Sequence, residues 1–69
     1  MKYLIIIEKA NDNYSAYLPD VPGCIATGKT IEETKKNITE ALVMHLQGLI
    51  EDGLSSPEPK AKADYVAVS

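Results

Sequence analysis

The chain has 69 residues, a formal net charge of −3 and a single cysteine, so we expect one small domain spanning residues 1–69. A single cysteine excludes an internal disulfide, and one cysteine with one histidine argues against a structural zinc site, which usually needs four such ligands. Association with another chain is then the expected stabiliser of so small a core. The seven lysines form no cluster and no apolar stretch reaches the roughly 18 residues of a membrane span, so we expect neither direct nucleic-acid binding nor membrane insertion.

Strands are predicted in the first half of the chain. The first covers Lys2–Lys9, whose central apolar run would keep both faces of the strand away from water. Residues 11–13 (Asn-Asp-Asn) are suited to a hairpin turn. Tyr14–Leu18 then alternates, which places Tyr17 on the face opposite to the first and last residues of that run. After two prolines, Cys24–Thr27 is predicted as a short third strand.

A helix is predicted to begin after Thr30. Thr30 and Glu33 form a capping-box pattern, and Gly53 is suited to end the helix because glycine tolerates the left-handed conformation found there. Apolar residues recur at helical spacing, and we expect this stripe to lie on the sheet; it consists of Ile31, Ile38, Leu42, Leu46 and Leu49.

A fourth strand is predicted at Asp64–Val68, where β-forming residues return. If this strand pairs beside the first, the first strand becomes central, and its apolar run is explained. The predicted fold class is α+β, a β-β-β-α-β domain with a mostly antiparallel sheet and one helix on one face.

Catalytic groups are sparse. The acidic candidates for a metal-dependent nuclease site are Glu8, Asp20, Glu40 and Asp64. A two-metal site requires convergent carboxylates, and their predicted positions favour solvated surface groups instead. We expect His45 to be a half-buried packing residue and Cys24 a small buried strand residue. The sequence therefore predicts no enzyme, no metal site and no cofactor.

Tyrosines suggest a binding surface. A sheet that carries one helix leaves its other face uncovered, and Tyr17 is predicted to lie on that face. Tyrosine is favoured at protein interfaces because it combines a large apolar ring with a polar tip. At least one tyrosine is therefore expected to be exposed or covered by another chain.

The combined pattern resembles the HicB family of antitoxins. It is carried by Ile7-Glu8-Lys9, by the run Tyr14–Cys24, by Gly28–Glu33, and by Asp52-Gly53 followed by Pro57–Pro59. The resemblance implies a partial ribonuclease H-like fold without ribonuclease activity. It also implies binding to a HicA toxin, a small ribonuclease that cleaves mRNA, whose active site the antitoxin covers. Many members carry a C-terminal helix-turn-helix or ribbon-helix-helix module, which we do not expect within these 69 residues.

The leading hypothesis is a cytoplasmic, non-catalytic antitoxin that acts as a homo-oligomer and masks a HicA-like toxin. The uncovered sheet face or an edge strand would bind the toxin. The residues expected to make contacts are Tyr14, Tyr17, Asp20, Pro22 and Gly23. Two alternatives stay open: a degenerate or active metal-dependent ribonuclease H-like nuclease, and an oligomeric scaffold or small-ligand protein without a toxin.

Overall fold

The computed structural model describes residues 1–69 and contains three strands followed by one helix. The elements are β1 (Ile6–Lys9), β2 (Tyr14–Tyr17), β3 (Ile25–Gly28) and α1 (Ile31–Glu51). This arrangement confirms the predicted α+β class. No helix is both long and apolar enough to span a bilayer.

The sheet has the order β1-β2-β3, with both neighbouring pairs antiparallel. The predicted hairpin turn is confirmed: the Ala10 amide donates a hydrogen bond of 2.8 Å to the Asn13 carbonyl. This turn fixes the register between β1 and β2, in which Ile7 faces Ala16. On the other side of β2, Ala16 faces Ala26 of β3.

The predicted fourth strand does not form within this chain. Residues 64–68 pair with no strand, so β1 lies at an edge instead of the centre, and it begins at Ile6 instead of Lys2. The chain just before this segment contacts another part of the fold. The amides of Lys60 and Ala61 both donate to the carboxylate of Asp20, a residue that follows β2. The chain before residue 64 is therefore tied to the loop after β2, and Tyr65, Val66 and Val68 are exposed.

The core lies between the helix and the sheet, close to the loop that joins β2 and β3. Its buried apolar residues are Ala16, Leu18, Val21, Cys24 and Ile38. Two tight turns shape the loop: the Val21 amide donates to Leu18 O at 3.2 Å, and the Cys24 amide donates to Val21 O at 3.3 Å. The loop thus folds back on itself, and Val21 is buried at the end of the sheet.

Both predicted helix ends are confirmed. The Thr30 hydroxyl accepts a hydrogen bond of 3.0 Å from the Glu33 amide, as a capping residue should. At the other end Gly53 has φ +75°, and its amide donates to Ile50 O at 3.0 Å. The next amide, of Leu54, donates to Leu49 O at 2.8 Å, which completes a Schellman motif.

The buried face of the helix is rotated from the predicted stripe. Thr34 and Ile38 are fully buried, whereas Ile31 is half exposed. Gly28 explains the difference, because a Cβ on Gly28 would lie 2.6 Å from the Thr34 hydroxyl oxygen. The helix therefore approaches β3 so closely that a small residue must face the sheet, and the Thr34 hydroxyl is satisfied by donating to Thr30 O at 2.7 Å.

Helix and sheet also differ in length. A helix of 21 residues is about 32 Å long, whereas a strand of four residues spans about 13 Å. The C-terminal half of the helix consequently extends past the strands, and the predicted stripe residues Leu46 and Leu49 are only partly buried.

Candidate functional site

The face of the sheet opposite the helix carries a row of large apolar side chains. The register places Ile6 beside Tyr17, and Tyr17 beside Ile25, so that the row crosses all three strands. Ile25 is 72% exposed and Tyr17 41% exposed, while Ile6 is half-buried. We call these three residues the apolar row. Glu8, Ser15 and Thr27 form the neighbouring polar row on the same face.

A rigid loop tip adjoins the apolar row. Pro22 and Gly23 are exposed at the turn that leads into β3, two residues before Ile25. Gly23 has φ +84°, and proline followed by a residue of positive φ is the signature of a type II turn. Nothing lies within 4 Å of a Cβ built on Gly23, so the backbone conformation, and not lack of space, requires glycine there. The structure thus brings Tyr17, Pro22 and Gly23 to the same end of the sheet.

Asp20 lies in this loop but contacts its own chain. Its carboxylate accepts hydrogen bonds from the Lys60 amide at 3.1 Å and from the Ala61 amide at 3.0 Å and 3.2 Å. Nearby, the Tyr3 hydroxyl donates to the carbonyl of Pro57. The predicted contact residue therefore also anchors the segment that follows the helix.

Tyr14 lies apart from the other predicted contact residues. It is half-buried at the opposite end of β2, between Lys9 and Gly28, on the helix-facing side that Ala16 also occupies. Three residues of strand, about 10 Å, separate it from Tyr17. The predicted alternation of the two tyrosines is correct, and it is the reason that they do not share one surface.

The acidic candidates do not converge. No group of three or more histidine, cysteine, aspartate or glutamate side chains is arranged to hold a metal ion. Glu8 lies in the polar row and Glu40 is exposed on the helix. His45 is exposed, which corrects the expected half-buried position. Burial raises the pKa of the Cys24 thiol by desolvation, so the nucleophilic thiolate is disfavoured.

Sequence reasoning missed Ile6 and Ile25 as surface residues. Both belong to apolar stretches that read as core, and the face of each becomes known only through its partner across the sheet. The signal was the hairpin turn: once Lys9 is paired with Tyr14, counting back along β1 and forward along β2 pairs Ile6 with Tyr17.

Comparison with known proteins identifies relatives of the chain. A family described as "HicB_like antitoxin of bacterial toxin-antitoxin system" matches residues 3–68. An uncharacterised 14.9 kDa protein of Haemophilus phage HP1 is 41% identical over 66 residues, 96% of this chain but 50% of the phage protein. This chain thus spans half the length of that relative.

Two relatives carry the description UPF0150 protein. The Helicobacter pylori protein is 40% identical over 50 residues, which cover 72% of this chain and 69% of the relative. The Thermoplasma acidophilum protein is 36% identical over 63 residues, which cover 90% and 91% of the two chains.

Among solved structures, a chain of the "HicA3 and HicB3 toxin-antitoxin complex" matches with a TM-score of 0.72 and 33% sequence identity. The match covers 87% of this chain and 70% of the other. The resemblance in the sequence is therefore confirmed by both sequence and fold, and the chain belongs to the HicB-like antitoxin family of bacterial toxin–antitoxin systems.

Proposed function

We propose that this protein is a non-catalytic antitoxin that binds and masks a small HicA-like ribonuclease, which cleaves mRNA in the cytoplasm. The observation that carries the proposal is the likeness to a chain of a complex between HicA3 and HicB3. The family membership of residues 3–68 supports it independently.

The apolar row is the surface that we assign to the toxin. Ile25 and Tyr17 are the most exposed large apolar side chains on the sheet, and no element of the chain packs over them. Removing such side chains from water on binding is favourable, by about 25 cal/mol for each Å² of apolar surface buried. Pro22 and Gly23 add a preformed tip, so the loop loses little conformational entropy on binding.

Charge favours the same kind of partner. The chain carries a net charge of −3, and Glu8 lies beside the apolar row. A ribonuclease that holds RNA through its phosphates presents lysines and arginines. Opposite charges on the two proteins would accelerate their encounter, and the effect should weaken as salt is added.

The test is co-expression of the chain with a small toxin encoded beside it. We expect the two proteins to purify together and the antitoxin to restore growth. Ile25→Asp should abolish both effects, because it places a charge within the proposed contact, at the most exposed residue of the apolar row. The matched control is Met44→Asp, which makes the same kind of change at an exposed apolar position on the helix. Loss of binding in both variants, or in neither, would contradict the assignment of the apolar row.

A nuclease assay tests the enzymatic alternative. Purified protein is incubated with RNA and Mg²⁺ or Mn²⁺, and we expect no cleavage above a buffer control. Metal-dependent cleavage that disappears in Asp20→Asn would overturn the proposal. The scaffold or small-ligand alternative would be favoured if no neighbouring toxin binds and growth is not restored.

A further inference from the structure

The polar row contains an isolated carboxylate. Glu8 is exposed, and it is the only charged residue that the three strands place on the face opposite the helix. Its neighbour Lys9 lies on the helix-facing side of β1. The one ion pair of the chain joins Lys60 and Glu58. Glu8 therefore has no cationic partner within its own chain.

Two free hydroxyl groups continue the polar row. The register places Ser15 beside Glu8, and Thr27 beside Ser15. Neither hydroxyl takes part in a hydrogen bond of the chain. The Asn37 side chain donates a hydrogen bond of 2.7 Å to the backbone carbonyl of Thr27, which ties this end of the row to the helix. The row is thus a fixed line of free polar groups, about 10 Å long, with the negative charge at one end.

A protein that covers the apolar row must also cover Glu8. Tyr17 lies at the centre of the apolar row, and its diagonal neighbour Glu8 is about 8 Å away across the pair of strands. A stable interface buries about 800 Å² on each partner, which corresponds to a patch about 16 Å in radius. A patch of that size centred on Tyr17 contains the whole polar row.

The partner must then supply a positive charge opposite Glu8. Removing an ionised carboxylate from water opposes binding unless the carboxylate is paired and hydrogen-bonded. In a protein that binds RNA, lysines and arginines are concentrated where the phosphates lie. Arginine holds a carboxylate and a phosphate with the same fork of N–H donors. A cation that binds phosphate is therefore suited to bind Glu8 as well.

Given the proposed antitoxin function, we propose that the Glu8 carboxylate takes the place of an RNA phosphate in the toxin. It pairs with a lysine or arginine that the toxin uses to hold its substrate. The hydroxyls of Ser15 and Thr27 bond to neighbouring polar groups of the same phosphate site. The apolar row supplies most of the buried apolar surface, and the polar row excludes RNA by occupying the site where a phosphate would bind.

The first test compares two substitutions that change the net charge equally. Binding to the toxin encoded beside the chain is measured for wild type, Glu8→Gln and the control Glu40→Gln, which alters an exposed carboxylate on the helix. Glu8→Gln should weaken the complex at least about 30-fold, mainly through faster dissociation, because it leaves the toxin's cation buried without a partner. Glu40→Gln should change the affinity by less than about fivefold.

Loss of folding does not confuse this comparison. Glu8 is exposed, and its side chain makes no hydrogen bond or ion pair within the chain. We therefore expect Glu8→Gln and Glu40→Gln to unfold at the same temperature as wild type.

The second test identifies the toxin group that faces Glu8. Each lysine and arginine of the toxin is replaced by glutamine and combined with Glu8→Gln in a double-mutant cycle. For one toxin residue, the double variant should bind hardly more weakly than either single variant. The same toxin variant should also lose affinity for a labelled, non-cleavable RNA analogue, measured by fluorescence anisotropy. The same cycle with Glu40→Gln should be additive.

The outcomes separate phosphate replacement from toxin binding itself. A Glu8→Gln complex as tight as wild type would exclude phosphate replacement and leave the antitoxin function in place. The same conclusion would follow if no toxin residue is coupled to Glu8, or if the coupled residue is not needed for RNA binding. If wild type binds no toxin, or if Ile25→Asp binds as wild type does, the assignment of the apolar row fails and phosphate replacement fails with it.

Discussion

Where the helix covers β3 and the middle of β2, the two faces of the sheet carry side chains of different size. On the covered face, Ala16, Ala26 and Gly28 are small and leave room for the helix. On the other face, Tyr17 and Ile25 are large and exposed. Contact with the helix limits the size of the side chains on the covered face, whereas nothing in the chain limits their size on the other face. Large apolar residues on the second face therefore contribute little to the stability of the single chain, and we attribute their presence to a partner.

The largest expected effect is a difference in the free energy of unfolding between substitutions on the two faces. Ile38→Ala should lower the free energy of unfolding by about 2–5 kcal/mol, because it leaves a cavity in the core. Ile25→Ala removes the same atoms from an exposed position and should change stability by less than about 0.5 kcal/mol. Chemical denaturation at one protein concentration measures both. Equal losses would show that Ile25 is covered in the folded protein and would break the comparison.

A second pair of substitutions concerns the closeness of the helix to the covered face. Gly28→Ala should cost about 1–3 kcal/mol, since the added Cβ would lie 2.6 Å from the hydroxyl oxygen and 2.7 Å from the amide nitrogen of Thr34. Gly48→Ala is the control, because nothing lies within 4 Å of a Cβ added at Gly48. Alanine there should raise helix stability by up to about 1 kcal/mol. Thermal unfolding should show shifts of opposite sign, and a tolerated Gly28→Ala would contradict the close approach.

A smaller effect is expected where the chain crosses the end of the sheet. Asp20→Asn replaces hydrogen bonds to a carboxylate by weaker ones to a neutral amide oxygen, a loss of about 1 kcal/mol. The amides of Lys60 and Ala61 should then exchange with solvent several-fold faster, as measured by hydrogen exchange. Amides of the helix centre serve as the internal reference and should be unaffected. Unchanged exchange at residues 60 and 61 would mean that Asp20 does not hold this segment.

The smallest effect concerns pH and the covered face. Burial raises the pKa of Cys24 above 9.0, so the folded protein retains the thiol proton at a pH where the unfolded chain has lost it. The stabilising contribution is complete below about pH 9 and is lost as the pH rises through the folded pKa, with a slope of at most about 1.4 kcal/mol per pH unit. Unfolding of wild type and Cys24→Ala between pH 8 and 10.5 isolates this dependence. Parallel curves would show that Cys24 makes no such contribution.

Local signals in the sequence predicted the elements well. The helix ends depend on Thr30, Glu33 and Gly53, which act within a turn of their own positions, and each behaves as expected. The alternation of β2 is equally local and placed Tyr17 on the correct face. Features decided within a few residues are accessible to sequence reasoning because few competing interactions act on them.

Features that depend on distant contacts were not accessible. Tyr65–Val68 has the composition of a strand, but strand formation requires a partner edge, and the segment pairs with none of the three strands. Ile25 has the composition of a core residue, and only the register reveals that it faces outward. In both cases the residue types show that apolar side chains could be buried. The topology of the whole fold decides whether they are buried and which surface they contact.

The bond from Asn37 to the carbonyl of Thr27 has a consequence for solubility. A small sheet with two unpaired edges can add strands from other molecules at both edges and grow into filaments. Here the Asn37 side chain already occupies one carbonyl at the β3 edge, which makes strand addition at that edge less favourable. Replacing Asn37 by a residue that cannot donate would reopen that edge, and fibrous aggregation on storage is the outcome to look for.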